Sequence, residues 1–382
     1  MTLSSTSSPP PAGPEGPQGP QGPQGPQDGD GQDPYRLGRR SVVVLVGGFV
    51  LIALAALSTM VGLPYVVLKP GPVTNIIAAG KTPLITVSGA RTYPTEGALD
   101  FTTVRVAGGP GFRVTVWDLL GAALNRSEEI EPEEAYFPKG ITDKQVQEEG
   151  AAEMADSQQE AIAVALRAVG QKVVQHVVIA QVTQDSPNRS VLRPGDEIVS
   201  VDGTAVDDSA SIRTAIGKHS AGQPVKLGLV RGGKPVDVTA TTRDAGGRTT
   251  IGVFLGVRFD FPFTVKIDAG NVGGPSAGTM FALGLYDTLT PGALTGGAKI
   301  AGTGTIDSTG AVGPIGGIRQ KLVGARDGGA QWFLAPADNC NEVVGHVPDG
   351  LRVVRISTFD QARSSVEAIA AHRGGALPTC TK

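Results

Sequence analysis

Ser276 stands among glycines in GNVGGPSAGTM (270–280), where the chain turns apolar, and Lys321 stands in GPIGGIRQKLVGA, 45 residues further on. A serine hydroxyl becomes a useful nucleophile when a base takes its proton. Lysine can be that base only as the neutral amine. Its pKa of about 10.4 must then fall, through burial and without a carboxylate partner. The apolar neighbours Ile315, Ile318 and Leu322 suit that requirement. Pro275 fits the first turn of a helix, where its missing N–H would go unpaired anyway. Ser276 would then lie where free backbone N–H groups converge, and such groups hold the oxyanion of a tetrahedral intermediate. Gly273, Gly274 and Ala277 are the candidates for that role and for close approach of a substrate backbone. A Gly-rich turn before a capped helix reads the same residues without any chemistry.

Composition removes other classes. Net charge is −3 and no run of Lys or Arg forms a strip for phosphates, so nucleic acid is not an expected partner. The four histidines are scattered, there is no H-E-x-x-H, and the two cysteines form no C-x-x-C. Neither a metal nor a cofactor is expected. AAGKT (78–82) looks like the end of a P-loop, but the first glycine that motif needs is Asn75, so ATP is not expected either.

These residues need elements to position them. Residues 1–40 are rich in Pro, Gly and Gln, with five G-P-x triplets from Gly13 to Gln27, and read as a disordered tail. Val42 to Leu63 is free of charge for 22 residues and is preceded by Arg36, Arg39 and Arg40. That length spans a bilayer, and the arginines predict a cytoplasmic tail with the rest of the chain outside. Beyond it, LITVSG, ALDFTTVRV and FRVTVWDLL read as strands. Met154 to Val169 reads as a helix stopped by Gly170, strands return from Lys172 to Arg243, an αβ pattern follows Gly252, and a short helix closes near Phe359–Ala371. Outside the membrane, Cys340 and Cys380 are expected to pair.

Two stretches resemble known families. SVLRPGDEIVSVDGTAV with the helix DSASIRTAI (208–216) resembles the PDZ domain of bacterial proteases, which takes a peptide as an added strand. That resemblance places the carboxylate-binding loop near Gln175 to Val177. GGPSAG with GTGTI…GAVGPIGGIRQK resembles the proteolytic domain of the Lon proteases, which use a Ser–Lys dyad. It implies Ser276 as nucleophile, Lys321 as base and Thr303 as the threonine beside the lysine. ALDFTTVRV, MADSQQEAIAVALRAV and WFLAPADNCNEV extend the likeness. Apolar segment, PDZ and Lon-type domain together resemble the membrane-anchored PDZ–Lon proteins of Gram-positive bacteria. The family's ATP-driven motor has no counterpart here, and Gly273 stands where many members carry an acid.

The expectation is therefore an α/β (α+β) Lon-type proteolytic domain with an inserted PDZ domain and one N-terminal transmembrane helix. Its parts are a tail (1–40), the membrane helix (41–63), the first part of the Lon-type domain (64–171), the PDZ (172–245), the catalytic part (246–375) and a C-terminal tail (376–382). The function implied is an ATP-independent serine endopeptidase at the cell membrane, with protein or peptide substrates; ring assembly is a trait of the family that the sequence leaves open. Two other readings stand beside it. GPSAG also fits the G-x-S-x-G elbow of α/β-hydrolases, with His346 or His372 as base, and a PDZ adaptor with an inactive protease domain would carry the same modules.

Overall fold

A computed structural model describes residues 38–78 and 83–381. Residues 1–37 of the expected tail and residues 79–82 of AAGKT fall outside the described residues; Arg39 and Arg40, expected in the tail, open a helix. Most of the apolar run lies in one helix, Arg39–Ser58, with none of its residues buried, and the helix stops five residues short of the expected end at Leu63. It is long and apolar enough to cross a membrane.

From Ser58 onward the chain forms one compact unit. Its larger sheet runs Arg352–Ile356, Trp332–Pro336, Lys299–Gly302, Ala98–Ala107, Tyr65–Asn75 and Glu129–Pro132 in spatial order. The first four strands are parallel, with Ile300 opposite Leu99 and Leu334 opposite Val354. The last two pair antiparallel. Strands from before residue 133 and after residue 298 thus share one sheet. They share one core as well: Leu99, Phe101, Met154, Ala161 and Leu166 pack with Met280, Phe281, Leu334 and Phe359. Phe101 and Phe281 meet edge to face at 5.6 Å, the favoured offset for aromatic rings.

Two helices build that core. Asp143–Ala168 starts at a capping box between Thr142 and Gln145 and ends at Gly170, whose φ of 79° a side chain would resist. Gly278–Leu289 is buried almost throughout, from Gly278 to Leu285. A helix apolar on every face belongs inside a layered domain.

The smaller sheet is antiparallel, ordered Val253–Asp260, Val174–Val182, Glu197–Val201, Pro224–Arg231, Lys234–Thr241. It encloses a core of its own around Ile179, Leu192, Ile198, Ile212 and Leu229. Asp202 and Gly203 both have positive φ, as a two-residue hairpin turn demands, and Asp208 caps the helix Ser209–Ile216 through Ser211 N.

The structure differs from expectation at three further places. FRVTVWDLL is not a strand: Thr115 and Asp118 form a capping box, and Val116–Leu124 is a helix. Local capping prevails there over β-branched propensity. Val253–Asp260, expected in the catalytic part, closes the edge of the smaller sheet. Pro275 precedes rather than enters its helix, which begins at Gly278 behind the cap residue Ala277.

Candidate active site

Three segments meet around Ser276. The first is the loop 270–277. Gly274 has φ 86°, and its N–H donates to the Gly150 carbonyl at 2.9 Å. Gly150 and Gly273 approach so closely that a Cβ on Gly273 would lie 3.4 Å from Gly150 backbone. Two turns further along the long helix, Ser157 Oγ donates to the Pro275 carbonyl at 2.9 Å. The helix Asp143–Ala168 therefore grips the loop at Gly274 and at Pro275, directly before the serine.

The second segment follows the strand Lys299–Gly302. Thr303 is fully buried. Its Oγ1 donates to the Ser276 carbonyl at 2.9 Å, and Gly304 N donates to the same oxygen at 2.8 Å. Two donors on one carbonyl fix the backbone of Ser276 and so aim its side chain. Ser276 itself is only half-buried and stays reachable.

The third segment is the helix Ile318–Asp327, which opens after Gly317 at φ 66°. It carries Lys321, 2% exposed, between Ile318 and Leu322, both fully buried. Lys321 Nζ lies 2.8 Å from Ser276 Oγ and donates to Thr303 Oγ1 at 3.0 Å. Burial alone pushes the Lys321 pKa down to about 7; no carboxylate counters it, so a large fraction is neutral near pH 7.

Of the sequence candidates, Ser276, Lys321 and Thr303 are brought into direct contact. Gly273 and Gly274 line the approach, but the Gly274 N–H is already engaged. Ala277 is buried beside the serine. His346 and His372 are exposed, and neither is a recorded hydrogen-bond partner of Ser276. The strand Thr264–Ile267 ends nine positions before the serine and pairs only with Ile85–Ser88, which is not the strand-to-nucleophile turn of a hydrolase elbow. Cys340 and Cys380 are bonded, with Cα atoms 5.0 Å apart. No cluster that could hold a metal occurs among the described residues.

Sequence reasoning missed three features. Gly150 and Ser157 hold the loop that carries Ser276, but their role depends on a contact across more than a hundred residues. Asn339, 2% exposed, holds Ile315 by both its N–H and its carbonyl, and so sets the turn that feeds the lysine helix. The third feature is a candidate peptide groove. A cavity of about 590 Å³ lies between the helix Ser209–Ile216 and the segment Gly247–Leu255, not near Gln175–Val177. Gln175–Val177 pair with Val257–Phe259 inside the sheet, and the strand that lines the cavity is the last of that sheet in chain order. The apolar run Ile251–Phe254, split by Gly252, was the signal available.

Beside the serine, a cleft of about 560 Å³ is walled by Val104, Val106, Phe112, Tyr136, Gly274 and Gly317. A buried lysine held 2.8 Å from a reachable serine, with a threonine fixing both, is an arrangement for acyl transfer. Known domains match two stretches of the chain. Residues 263–368 match the Lon protease (S16) C-terminal proteolytic domain, and residues 145–242 match the PDZ domain.

The chain carries a Lon-type proteolytic domain and a PDZ domain.

Similar proteins include Lon protease 2 of Bacillus subtilis, 28% identical over 29% of this chain and 18% of that protein. The Lon protease of Clostridium beijerinckii is 36% identical over 25% of this chain and 12% of its own length. That of Vibrio parahaemolyticus is 37% identical over 23% and 11%. The chain thus spans less than a fifth of the length of these relatives. Among solved structures, the PDZ domain of the SdrC-like protein from Listeria monocytogenes is 29% identical over 21% of this chain and 86% of its own, with a TM-score of 0.20. The PDZ match begins inside the helix Asp143–Ala168, most of whose buried residues belong to the Lon-type core; the smaller sheet itself starts at Val174.

Proposed function

We propose that the chain is a serine endopeptidase acting through a Ser276–Lys321 dyad. The observation that carries this is the 2.8 Å contact between Ser276 Oγ and a buried lysine with no carboxylate partner. Neutral Lys321 takes the hydroxyl proton as Ser276 Oγ bonds to the scissile carbonyl carbon. The resulting ammonium returns that proton to the leaving amine as the C–N bond breaks, and then serves as base for the water that releases the acyl group. Thr303 orients the amine and the serine backbone. The Ala277 N–H, for which no partner occurs among the described residues, is the candidate oxyanion donor, with Gly273 and Gly274 admitting the substrate backbone.

Ser276→Ala should abolish both casein cleavage and fluorophosphonate labelling. Lys321→Arg should do nearly the same, because guanidinium keeps its proton, and Thr303→Val should lower kcat about 100-fold by misplacing the amine. His346→Ala combined with His372→Ala should leave activity. Loss in that double variant would favour the Ser–His hydrolase reading, and an inert wild type the adaptor reading.

We further propose that the protein works without ATP, that its PDZ groove binds peptide segments of substrates or governs access, and that the PDZ domain is inserted within the Lon-type domain. The helix Arg39–Ser58 would be the single membrane anchor, with the N-terminus cytoplasmic and the catalytic domain outside. Support comes from Arg39 and Arg40 at its start and the absence of charge along it. A cysteine introduced at Ser5 should resist an impermeant thiol reagent in intact cells and one at Asp244 should react; the reverse pattern contradicts this topology.

A further inference from the structure

The short helix Val116–Leu124 has an apolar face that nothing described covers. Its inner side is accounted for: Leu119 and Ala122 pack with Val67, Val114 and Ile130. Its outer side presents Trp117 at 50%, Leu120 at 52% and Leu124 at 81% exposure, with Val116 beside them. The spacing of Val116, Leu120 and Leu124 keeps these residues on one face. Phe112, 65% exposed, continues the patch before the helix. A soluble monomer rarely leaves such a contiguous set open, and exposed apolar patches mark interaction sites.

The patch is tied to the end of the apolar helix. Trp117 Nε1 donates to Ser58 Oγ at 2.8 Å, and Ser58 is the last residue of that helix. Arg113 donates to the Met60 carbonyl, and Leu63 forms a bridge with Val114. Met60 and Val61 are themselves exposed apolar residues. A 20-residue helix rises about 30 Å, the thickness of the hydrocarbon core. If Arg39 marks one boundary, Ser58 stands near the other, and Trp117 is hydrogen-bonded to it. Tryptophan, with an apolar body and one N–H donor, suits that level of a membrane. Arg113 and Arg126 flank the helix without a carboxylate partner among the described residues.

We infer that Val116–Leu124 is a membrane-surface helix, its Trp117–Leu120–Leu124 face seated in the outer lipid interface at the level of Ser58. This rests on the anchor reading of the proposed function. The consequence is orientational: the strand Ala98–Ala107 and the loop 108–112 connect this helix to the wall of the cleft beside Ser276, so its seating would fix where the cleft mouth faces relative to the bilayer.

The test uses the full chain reconstituted in phosphatidylcholine vesicles, with and without phosphatidylglycerol. In a Trp332→Phe variant, Trp117 is the sole tryptophan. Its emission should shift to the blue and be quenched by lipids brominated near the headgroup. Leu124→Cys carrying an environment-sensitive dye is a second reporter should Trp332→Phe fold poorly, and it should respond to the same quenchers. Retention in the vesicles after alkaline washing reads the anchor separately. Protein retained with Trp117 and position 124 both water-like overturns the surface helix and leaves the anchor standing. Blue-shifted but unquenched reporters whose signal depends on protein density mean that a second copy covers the face, which also overturns it. Release on alkaline washing removes the anchor and this proposal together.

Discussion

Lys321 concentrates the chemistry of this protein in one titration. Its folded pKa of about 7 lies below the 10.5 of an unburied lysine. Activity that needs the neutral amine should rise through about pH 7 and level off above it. The stability sign runs opposite to that of a paired lysine. Between the two values the unfolded chain binds the extra proton, so stability rises with pH across that window and the full penalty applies below it. The shift corresponds to about 4–5 kcal/mol. Lys321→Met removes the penalty but strands Ser276 and Thr303, which takes back about 1–3 kcal/mol. The variant should therefore be inactive yet more stable than wild type at about pH 6, with the advantage shrinking at about pH 9. Chemical denaturation at both values measures it, and equal stability differences at the two would show that the lysine is not held neutral by burial.

At the scale of elements, each proposed catalytic group is fixed by a neighbour distant in sequence. Ser157 and Gly150 hold the serine loop, Leu334 O receives the Thr303 N–H, and Asn339 holds the turn before the lysine helix. Arg167 links the two domains: it donates to the Ser308 carbonyl and to Gln175 Oε1 and lies over the Phe259 ring. The Cys340–Cys380 pair ties the C-terminal segment to the short helix Cys340–Val343, directly after Asn339. Closing that loop constrains the unfolded chain by about 3–4 kcal/mol. Denatured, unreduced protein should yield no free thiol, and Cys340→Ser with Cys380→Ser should lower Tm; two titratable thiols in the wild type would refute the bond.

For the whole molecule, the proposed insertion follows from where the smaller sheet begins and ends. Val174 and Asp260 are opposite one another in the first and last strands of that sheet, so the chain enters and leaves it at neighbouring points, as an inserted domain must. His176 closes this base, with its ring nitrogens 2.7 Å from Glu197 and 3.0 Å from Asp260. Replacing residues 174–260 by a short Gly/Ser linker should leave a cooperatively folding protein in which Ser276 still labels with a fluorophosphonate. Failure to label, together with stable expression of residues 84–170 alone, would show tandem domains instead. Ending the excision at residue 245 should fail, because it orphans the edge strand Val253–Asp260.

The sequence by itself determined the chemistry and the inventory of modules. Ser276 in its glycines, Lys321 among apolar residues, the uncharged run from Val42, and the strand at Ala98–Ala107 are all written in residue types and short spacings. Tertiary structure decided what depends on contacts between distant segments. The capping of Val116–Leu124 was readable in Thr115 and Asp118, yet β-branched propensity pointed the other way. That Gly274 spends its N–H on Gly150, that Asn339 sets the lysine helix, and that the peptide groove lies along the last strand of its sheet follow from no local pattern. Each is a hydrogen bond or pairing between segments tens to more than a hundred residues apart, and short-range periodicity carries no information about which partner the fold will bring.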